Sequence, residues 1–447
     1  MPTLITSISG ARGLVGDGLD ACIIARLSAS FGTLVGPGLI IIGRDSRPSG
    51  EHFAQVAGGA LRGVGCDVCD LGIVTTPTVQ VAVEEYGAAG GIVISASHNP
   101  PQWNALKFVG PDGRFLSPAR AEILFRQYHE NRFAWVPYER IGGTERRSDS
   151  VTRHIKRILQ AFEKEELKKI RSGGFKVVVD AVRGAGGVLL LPLLEQLGVK
   201  VHPIDCEPDG QLPADPEPRT EVLGQLLETV RQVGADLGFR TDPDGDRLAV
   251  VTPGGEVLGE EWTLPLAAFQ VLQSKKGPLV TNLSSSGRLE WVGSRFGVPV
   301  YRTPVGEAHV VLGILKYEAL IGGEGNGGVI DPQIHLGRDS GVGIARLLAL
   351  ESSYPGGVAG ASREFPSFFM VKVKLPAPDD LGELEDRLRG LFSAAPDRSD
   401  GLRWLVPGGW IHIRKSGTEP AMRLTAETAT QAQLEEWVEK IRRVGRI

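Results

Sequence analysis

Cysteine is scarce in this sequence, which has four cysteines in 447 residues. So few thiols exclude a scaffold held together by disulfides. Cys66 and Cys69 form one C-x-x-C pair, but a structural zinc site needs four ligands. We therefore expect both residues to be strand cysteines and not metal ligands.

An excess of charge of one sign and long apolar runs are also missing. The net charge is −4 with acidic and basic residues interspersed, so we expect no nucleic-acid partner. The longest apolar runs, GLIIIG and VLLLPLL, are too short to span a bilayer, and the N-terminal residues lack the pattern of a signal peptide. We expect a cytoplasmic protein with no membrane partner.

One sequence pattern occurs three times, in residues 39–72, 175–205 and 277–306. Each copy begins with a short β-branched run and continues through a glycine- or serine-rich loop into an amphipathic stretch of helical length. Each then passes Gly-Val and enters a second β-rich run. This is the pattern of a βαβ unit, so the sequence predicts three related α/β domains built on mixed sheets.

Polar, glycine-bearing joints separate these units, and the C-terminal part has a different pattern. The stretch FFMVKVKL alternates like a strand, and a closing helix carries Leu434, Trp437, Val438 and Ile441 on one face. We therefore predict a smaller C-terminal α+β domain and one central cleft shared by all four domains. The predicted domains are 1–150, 151–253, 254–366 and 367–447.

Two polar clusters follow predicted strands, where open α/β sheets bind their ligands. In VISASHNP, residues 97 to 100 are expected to be exposed, with Ser97 as a nucleophile. In DPDGDR, the alternating Asp242, Asp244 and Asp246 suit a hard cation such as Mg²⁺, although a solvated acidic turn is the alternative. The loop lacks the glycine and acid positions of an EF-hand.

Two further clusters suit a phosphorylated, hydroxylated ligand. RKSGTEPAMR offers Arg414, Ser416, Thr418 and Arg423 around Gly417 for a phosphate, without P-loop spacing. GGEGNGG presents Glu324 and Asn326 on one side of an extended chain, a pattern that suits sugar hydroxyls or an amino group. An ordinary glycine-rich turn is the alternative in both cases.

Taken together, the four motifs resemble those of the α-D-phosphohexomutase superfamily over nearly the whole chain. SASHNPPQWNALK is similar to its phosphoserine loop, DPDGDR to its Mg²⁺ loop, GGEGNGG to its sugar loop and RKSGTEP to its phosphate loop. SGARG and GRDSRPSG also match the first domain of that family.

The resemblance implies a phosphoserine enzyme. It would phosphorylate a hexose 6- or 1-phosphate, reorient the bound hexose 1,6-bisphosphate, and recover the other phosphate. The implied roles are Ser97 as phosphate carrier and metal ligand; Asp242, Asp244 and Asp246 as Mg²⁺ ligands; Arg247 as phosphoserine stabiliser; Lys107 as acid/base, assisted by Arg12 and His98; Glu324 and Asn326 as sugar ligands; and Arg414, Ser416, Gly417, Thr418 and Arg423 as phosphate ligands.

Departures from the family pattern bear on the choice of hexose. Ala105, Asn326 and Gly328 replace a common glycine, serine and histidine, and Glu307 stands where histidine is frequent. The G-E-G-N-G-G and S-G-T-E-P forms most resemble phosphoglucosamine mutases, so glucosamine phosphate is the first expected substrate. Phosphoglucomutase/phosphomannomutase activity is the alternative. A non-catalytic sugar-phosphate-binding protein, a phosphatase, and either a monomer or a homodimer stay open.

Overall fold

The computed structural model describes residues 4–254, 257–375, 381–415 and 421–445, which form four β-sheets accompanied by helices. No helix in these ranges combines the length and the hydrophobicity needed to cross a bilayer. Short 3-10 helices lie at Tyr138–Arg140, Thr220–Val222, Glu260–Trp262 and Arg389–Leu391.

The N-terminal unit contains an eight-stranded mixed sheet. Its elements are β1 (Ile5–Ser7), β2 (Gly10–Val15), β3 (Gly18–Leu19), α1 (Ala21–Val35), β4 (Leu39–Arg44), α2 (Pro48–Gly63), β5 (Asp67–Ile73), α3 (Thr76–Glu85), β6 (Gly90–Ile94), β7 (Trp103–Val109), α4 (Pro118–Glu130) and β8 (Thr144–Arg146). The strand order is β1-β2-β7-β6-β4-β5-β8, with β3 beside β2. The fully buried β6 is therefore central in the sheet.

Among the described residues, the second unit contains five strands, which form one sheet in the order β10-β9-β11-β12-β13, and four α-helices, and the ranges of these elements are given next. They are α5 (Ser150–Gln160), α6 (Lys164–Ser172), β9 (Lys176–Asp180), α7 (Gly186–Gln196), β10 (Lys200–Ile204), α8 (Gly224–Val233), β11 (Leu237–Thr241), β12 (Leu248–Val251) and β13 (Val257–Gly259). The strands β10, β9 and β11 are parallel, and β12 turns back antiparallel to β11.

The third unit contains a four-stranded sheet in the order β15-β14-β16-β17, whose elements are as follows. They are α9 (Thr263–Leu272), β14 (Leu279–Asn282), α10 (Arg288–Phe296), β15 (Val300–Thr303), α11 (Glu307–Tyr317), β16 (Ile321–Glu324), β17 (Gly328–Ile330), α12 (Ser340–Ser353) and α13 (Gly357–Ser362). Helix α12 is buried over its first eleven residues, and it packs against α6, α7 and α9. The second and third units therefore share one hydrophobic core.

The C-terminal unit is a smaller, wholly antiparallel sheet in the order β18-β21-β20-β19, covered by helices. Its elements are β18 (Phe369–Leu375), α14 (Leu381–Leu388), β19 (Leu402–Val406), β20 (Gly409–Lys415), β21 (Met422–Thr428) and α15 (Gln431–Gly445). On α15, Leu434 and Ile441 are buried in a separate small core, with Trp437 and Val438 packed against it.

The predicted fold class is confirmed, because each repeated segment forms a parallel βαβ unit: β4-α2-β5, β9-α7-β10 and β14-α10-β15. Cys69 lies in β5 and Cys66 one residue before it; both are buried and unpaired. Strand β13 follows the predicted boundary at residue 253 yet pairs with β12. The domain boundaries stay predictions.

Candidate active site

The chain turns sharply after β6, at the point where Ser97 is presented. Ser97 has a φ of 51°, in the left-handed region that costs a non-glycine residue roughly 1–2 kcal/mol. The expectation that residues 97 to 100 are exposed is wrong, because Ser97 and Asn99 are buried and His98 and Pro100 are half-buried. Ser97 is only 3% exposed and Asn99 only 5%, because loops from other parts of the chain cover this turn.

A buried arginine, Arg47, holds the Ser97 turn through hydrogen bonds to its carbonyls. The guanidinium of Arg47 donates to the carbonyls of Ser97 and Asn99 at 2.6 Å, and to those of Pro100 and Trp103 at 2.7 and 3.0 Å. Its Nε also donates to the buried Asp45 at 3.0 Å. One fully buried side chain thus donates to four carbonyls of the turn, of which Pro100 also accepts from the Trp103 N–H at 3.0 Å.

The acidic loop follows β11 and is ordered by its own first carboxylate. Asp242 Oδ1 accepts hydrogen bonds from the backbone N–H groups of Asp246 and Arg247 at 3.1 and 3.2 Å. Gly245 has a φ of 70°, which lets the loop reverse at that residue. All three aspartates therefore point inward, and their side chains are fully buried.

The serine turn and the acidic loop meet directly, although they come from different sheets. Ser97 Oγ donates to Asp242 Oδ2 at 2.7 Å. Lys107, from the neighbouring β7, donates its Nζ to Asp244 Oδ2 at 2.5 Å, and the Thr76 hydroxyl donates to the same oxygen at 2.5 Å. The structure thus brings the predicted nucleophile, the three predicted metal ligands and the predicted acid/base together.

The electrostatics of the acidic loop favour a cation. The three carboxylates each offer an oxygen, and these oxygens lie within 4.8 Å of one another. Burial and the two neighbouring carboxylates raise the pKa of Asp242 well above its ordinary value. Burial would also raise the pKa of Asp244, but the ammonium of Lys107 lowers it overall.

Two oxygens of this loop have no hydrogen-bond partner among the described residues. They are Asp244 Oδ1 and Asp246 Oδ1, both buried. Buried carboxylate oxygens without partners are costly, and an oxygen-liganded divalent cation satisfies them. The donor set therefore fits Mg²⁺.

The remaining predicted catalytic residues surround the same point. Arg12 donates to Asn99 Oδ1 at 2.6 Å, and burial together with Arg247 lowers its pKa to about 10. Arg247 donates to Glu217 at 2.5 Å, and its Nε lies 3.8 Å from Asp242. Burial, then Arg247 and Arg12, lower the pKa of His98 well below its ordinary value, so its imidazole is uncharged at neutral pH.

The sugar-loop motif forms the end of β16 and the turn into β17. Glu324 is buried at 3% exposure, and its Oε1 accepts from Asn282 Nδ2 at 2.8 Å and from the Gly306 N–H at 2.9 Å. Its Oε2 accepts from Arg338 at 2.6 Å and, more weakly, from Asn326 at 3.5 Å. The two predicted sugar ligands therefore do lie side by side.

The phosphate-loop motif is described only in part, because Ser416, Gly417 and Thr418 lie outside the described residues. Arg414 and Arg423 are paired directly across β20 and β21. Burial lowers the pKa of Arg414, while Asp400 and Glu324 oppose this shift. Two guanidiniums opposite each other on one sheet face are favourable when an anion lies between them.

Sequence reasoning missed four residues that shape this site: Arg47, Thr76, Glu217 and Arg338. Of these, only Arg338 belongs to a repeated sequence motif. The tetrapeptide Gly-Arg-Asp-Ser occurs at residues 43–46 and again at 337–340, and in both copies the aspartate is fully buried. Thr76 and Glu217 stand in ordinary polar stretches, where no pattern marks them.

Comparisons with known proteins cover most of the chain. Family models of phosphoglucomutase/phosphomannomutase match alpha/beta/alpha domain I at residues 4–135, domain II at 152–255, domain III at 261–358 and the C-terminal domain at 370–444.

Individual relatives are similar over almost their full length. A phosphoglucomutase/phosphomannomutase of Thermococcus kodakarensis is 33% identical, with 96% of each chain covered. A probable phosphoglucosamine mutase of Methanopyrus kandleri is 32% identical, with 97% of each covered. The solved structure of a phosphoglucomutase/phosphomannomutase family protein from Burkholderia thailandensis has a TM-score of 0.84 at 26% identity, covering 98% of this chain and 96% of that one.

Proposed function

We propose a reaction course and a substrate from the premise that this chain belongs to the phosphoglucomutase/phosphomannomutase family and is a phosphohexomutase, an intramolecular phosphotransferase. The observation that carries the reaction course is the 2.7 Å hydrogen bond between Ser97 Oγ and Asp242. It joins a nucleophile held in a strained turn to a buried acidic loop.

Ser97 is the proposed phosphate carrier. In the first transfer, a hydroxyl oxygen of the bound hexose phosphate bonds to the phosphorus of phosphoserine while the P–Oγ bond breaks. The hexose bisphosphate then reorients, and Ser97 Oγ attacks its other phosphorus, which frees the corresponding sugar oxygen. Each transfer moves one proton between the sugar oxygen and Ser97 Oγ, so the enzyme ends as it began.

Asp242, Asp244 and Asp246 are the proposed Mg²⁺ ligands, together with an oxygen of the Ser97 phosphate. When bound, Mg²⁺ supplies charge neutralisation for the transferring phosphoryl group. Arg247 adds a fixed positive charge on the same side, because Glu217 holds its guanidinium in place.

Lys107 is the proposed proton carrier. Its Nζ contacts Asp244 at 2.5 Å while Ser97 Oγ contacts Asp242 of the same loop, and this shared loop supports Lys107 as the group that protonates Ser97 Oγ when the P–Oγ bond breaks. His98, which is uncharged, is proposed to assist from the Ser97 turn, and Arg12 from the neighbouring β2, where it donates to Asn99 of that turn. Arg414 and Arg423, with Ser416, Gly417 and Thr418, are proposed to hold the phosphate that does not react.

Glucosamine 6-phosphate and glucosamine 1-phosphate are the proposed substrate pair, supported by the relatives named as probable phosphoglucosamine mutases and by the form of the sugar loop. One observation favours a second candidate, the phosphates of glucose and mannose. Glu324 already accepts a hydrogen bond from the guanidinium of Arg338 at 2.6 Å, which offsets part of its charge and makes pairing with an ammonium group less favourable than accepting from a hydroxyl.

The test combines mass measurement with a substrate panel. The purified protein should carry one phosphate that Ser97→Ala lacks, and the variant should lose at least about three decades of turnover, as expected when a covalent nucleophile is removed. Addition of a chelator should abolish mutase activity, and Mg²⁺ should restore it.

Comparing kcat/KM for the 1-phosphates of glucosamine, glucose and mannose identifies the hexose. Near-normal turnover by Ser97→Ala would contradict the phosphoserine course. Release of inorganic phosphate at the rate of substrate loss would indicate a phosphatase.

A further inference from the structure

A single buried arginine connects the acidic loop to the sugar loop. Arg338 donates to Asp246 Oδ2 at 2.6 Å, to Glu324 Oε2 at 2.6 Å and to Glu307 Oε2 at 3.0 Å. Its side chain is only 10% exposed, and those of its three partners are 0 to 5% exposed. Each nitrogen of the guanidinium therefore holds a different carboxylate: Asp246 in the acidic loop, Glu307 at the start of α11 and Glu324 at the end of β16.

The backbone at residue 328 leaves room for this arginine. A Cβ atom built on Gly328 would lie 2.2 Å from Arg338 Cδ and 2.8 Å from its Cγ. The φ of Gly328 is not in the left-handed region, so the backbone conformation does not require glycine. Glycine is needed here because a Cβ atom would collide with the Arg338 side chain. The stem of Arg338 cannot move aside easily, because three carboxylates hold its far end.

The charge of Arg338 acts on a proposed metal ligand at hydrogen-bond distance. Asp246 Oδ2 accepts from the guanidinium, while Asp246 Oδ1 has no hydrogen-bond partner in the described part of the chain. A divalent cation at the acidic loop must therefore share Asp246 with a fixed positive charge. A guanidinium stays protonated in proteins, so this charge is permanent.

We propose that Arg338 is a positioning residue that weakens metal binding at the acidic loop and holds Glu324 beside that loop. Residue 328 is glycine because a larger side chain would occupy the space of the Arg338 side chain. The inference rests on the proposed metal site. It predicts opposite effects of one substitution on two measurable quantities, which loss of structure does not produce.

Removing the charge should tighten metal binding and slow catalysis. In Arg338→Gln, Asp246 loses a competing cation, so Mn²⁺ should bind about tenfold or more tightly, since unit charges this close interact strongly even in a well-screened site. In the same variant Glu324 Oε2 loses its charged donor while Oε1 keeps its two hydrogen bonds, so the carboxylate is free to turn and kcat/KM for the preferred hexose phosphate should fall at least about tenfold. Arg338→Lys keeps the charge but cannot bridge three carboxylates, so metal affinity should stay near that of the wild type while kcat/KM still falls.

The measurement is a titration of Mn²⁺ alone, with free Mn²⁺ read by electron paramagnetic resonance, on proteins matched by intact mass for the state of Ser97. Gly328→Ala provides a second, steric variant, because its Cβ should displace Arg338 without changing the charge of the chain. It should reproduce both effects of Arg338→Gln. The matched control is Arg346→Gln, which removes an equally buried arginine paired with Asp331 at 2.6 Å, and Mn²⁺ affinity should not change.

The possible outcomes separate the two proposals. Unchanged or weaker Mn²⁺ binding in both Arg338→Gln and Gly328→Ala, with a wild type that does bind Mn²⁺, overturns the role of Arg338 and leaves the metal site intact. A wild-type protein that binds no Mn²⁺ overturns both. Tighter binding that also occurs in Arg346→Gln would show a general effect of buried arginines, and it too overturns the inference.

Discussion

At the scale of single residues, the site depends on arginines that neutralise or satisfy oxygen atoms in the interior. Arg47 is the clearest case, since its guanidinium serves four carbonyls of the Ser97 turn and the carboxylate of Asp45. Burial raises the pKa of Asp45 even with Arg47 beside it, so the pair is held in a strongly desolvated place. The strained φ of Ser97 is maintained by this support.

Arg47→Met should therefore destabilise the protein by about 3–5 kcal/mol, because it removes the charge paired with the buried Asp45 carboxylate and the guanidinium donor of four carbonyls. Urea denaturation followed by circular dichroism measures this change. The control is Arg44→Met, which removes a longer 3.6 Å pair with the exposed Glu51 and should cost less than about 1 kcal/mol. A similar loss in both variants would mean that the Arg47 contacts contribute no more than a surface ion pair.

At the scale of helices and strands, the sequence was informative where periodicity is local. The three βαβ units follow from alternation of β-branched runs with amphipathic stretches, and α5 forms with Ile155 and Ile158 buried on one face. The positions of Arg47 and Arg338 could not be predicted in this way. Their partners lie 50 and 92 residues away in the chain, and only the packing of the sheets brings them together.

The pairing of β20 with β21 also bears on the phosphate anchor. Because Arg414 and Arg423 are direct cross-strand partners, both guanidiniums lie on one face of the sheet. An anchor of this kind recognises the phosphate and not the sugar carbon that carries it. It should serve the 1-phosphate and the 6-phosphate equally.

Arg414→Ala should accordingly weaken binding of both phosphates by about one to two decades, the equivalent of roughly 1.5–3 kcal/mol for one charge-assisted contact. The KM for each substrate reports the loss, and phosphorylation of Ser97 by excess hexose bisphosphate should persist. Arg389→Ala, which removes an exposed partner of Asp386 in the same unit, is the control. A KM increase confined to one substrate would contradict an anchor that is indifferent to the sugar carbon.

At the scale of the whole molecule, the C-terminal unit is attached to the third unit by polar contacts. Glu427 accepts from the Ser286 hydroxyl and the Gly287 N–H at 2.5 and 2.7 Å, and Asp400 accepts from the Val305 N–H at 2.9 Å. Lys372 joins Glu261 at 2.8 Å. Polar interfaces between domains allow relative motion, and opening of this one would let a bound bisphosphate reorient.

His412 lies within this interface and makes the stability of the folded protein depend on pH. Its Nε2 lies 2.6 Å from the Asp400 carbonyl, to which it donates, and in the neutral imidazole Nδ1 accepts from the Ser284 hydroxyl at 2.8 Å. Burial, with a smaller effect of Arg414 and Arg403, lowers the pKa of His412 to about 4, from an ordinary value of 6.5. The folded protein therefore resists protonation of this residue.

The sign of the pH effect follows from which state binds the proton. Above pH 6.5 neither state is protonated at His412, whereas between pH 6.5 and about 4 the unfolded chain takes up a proton that the folded chain refuses. Stability should thus fall as the pH falls through this window. At pH 5 the loss attributable to His412 should be about 2 kcal/mol, at about 1.4 kcal/mol for each pH unit.

Urea denaturation of the wild type and of His412→Gln at pH 7 and pH 5 isolates this contribution, because the other titrating groups are common to both proteins. The wild type should lose about 2 kcal/mol more than the variant, and an equal loss in the two proteins would show that His412 titrates normally in the folded state.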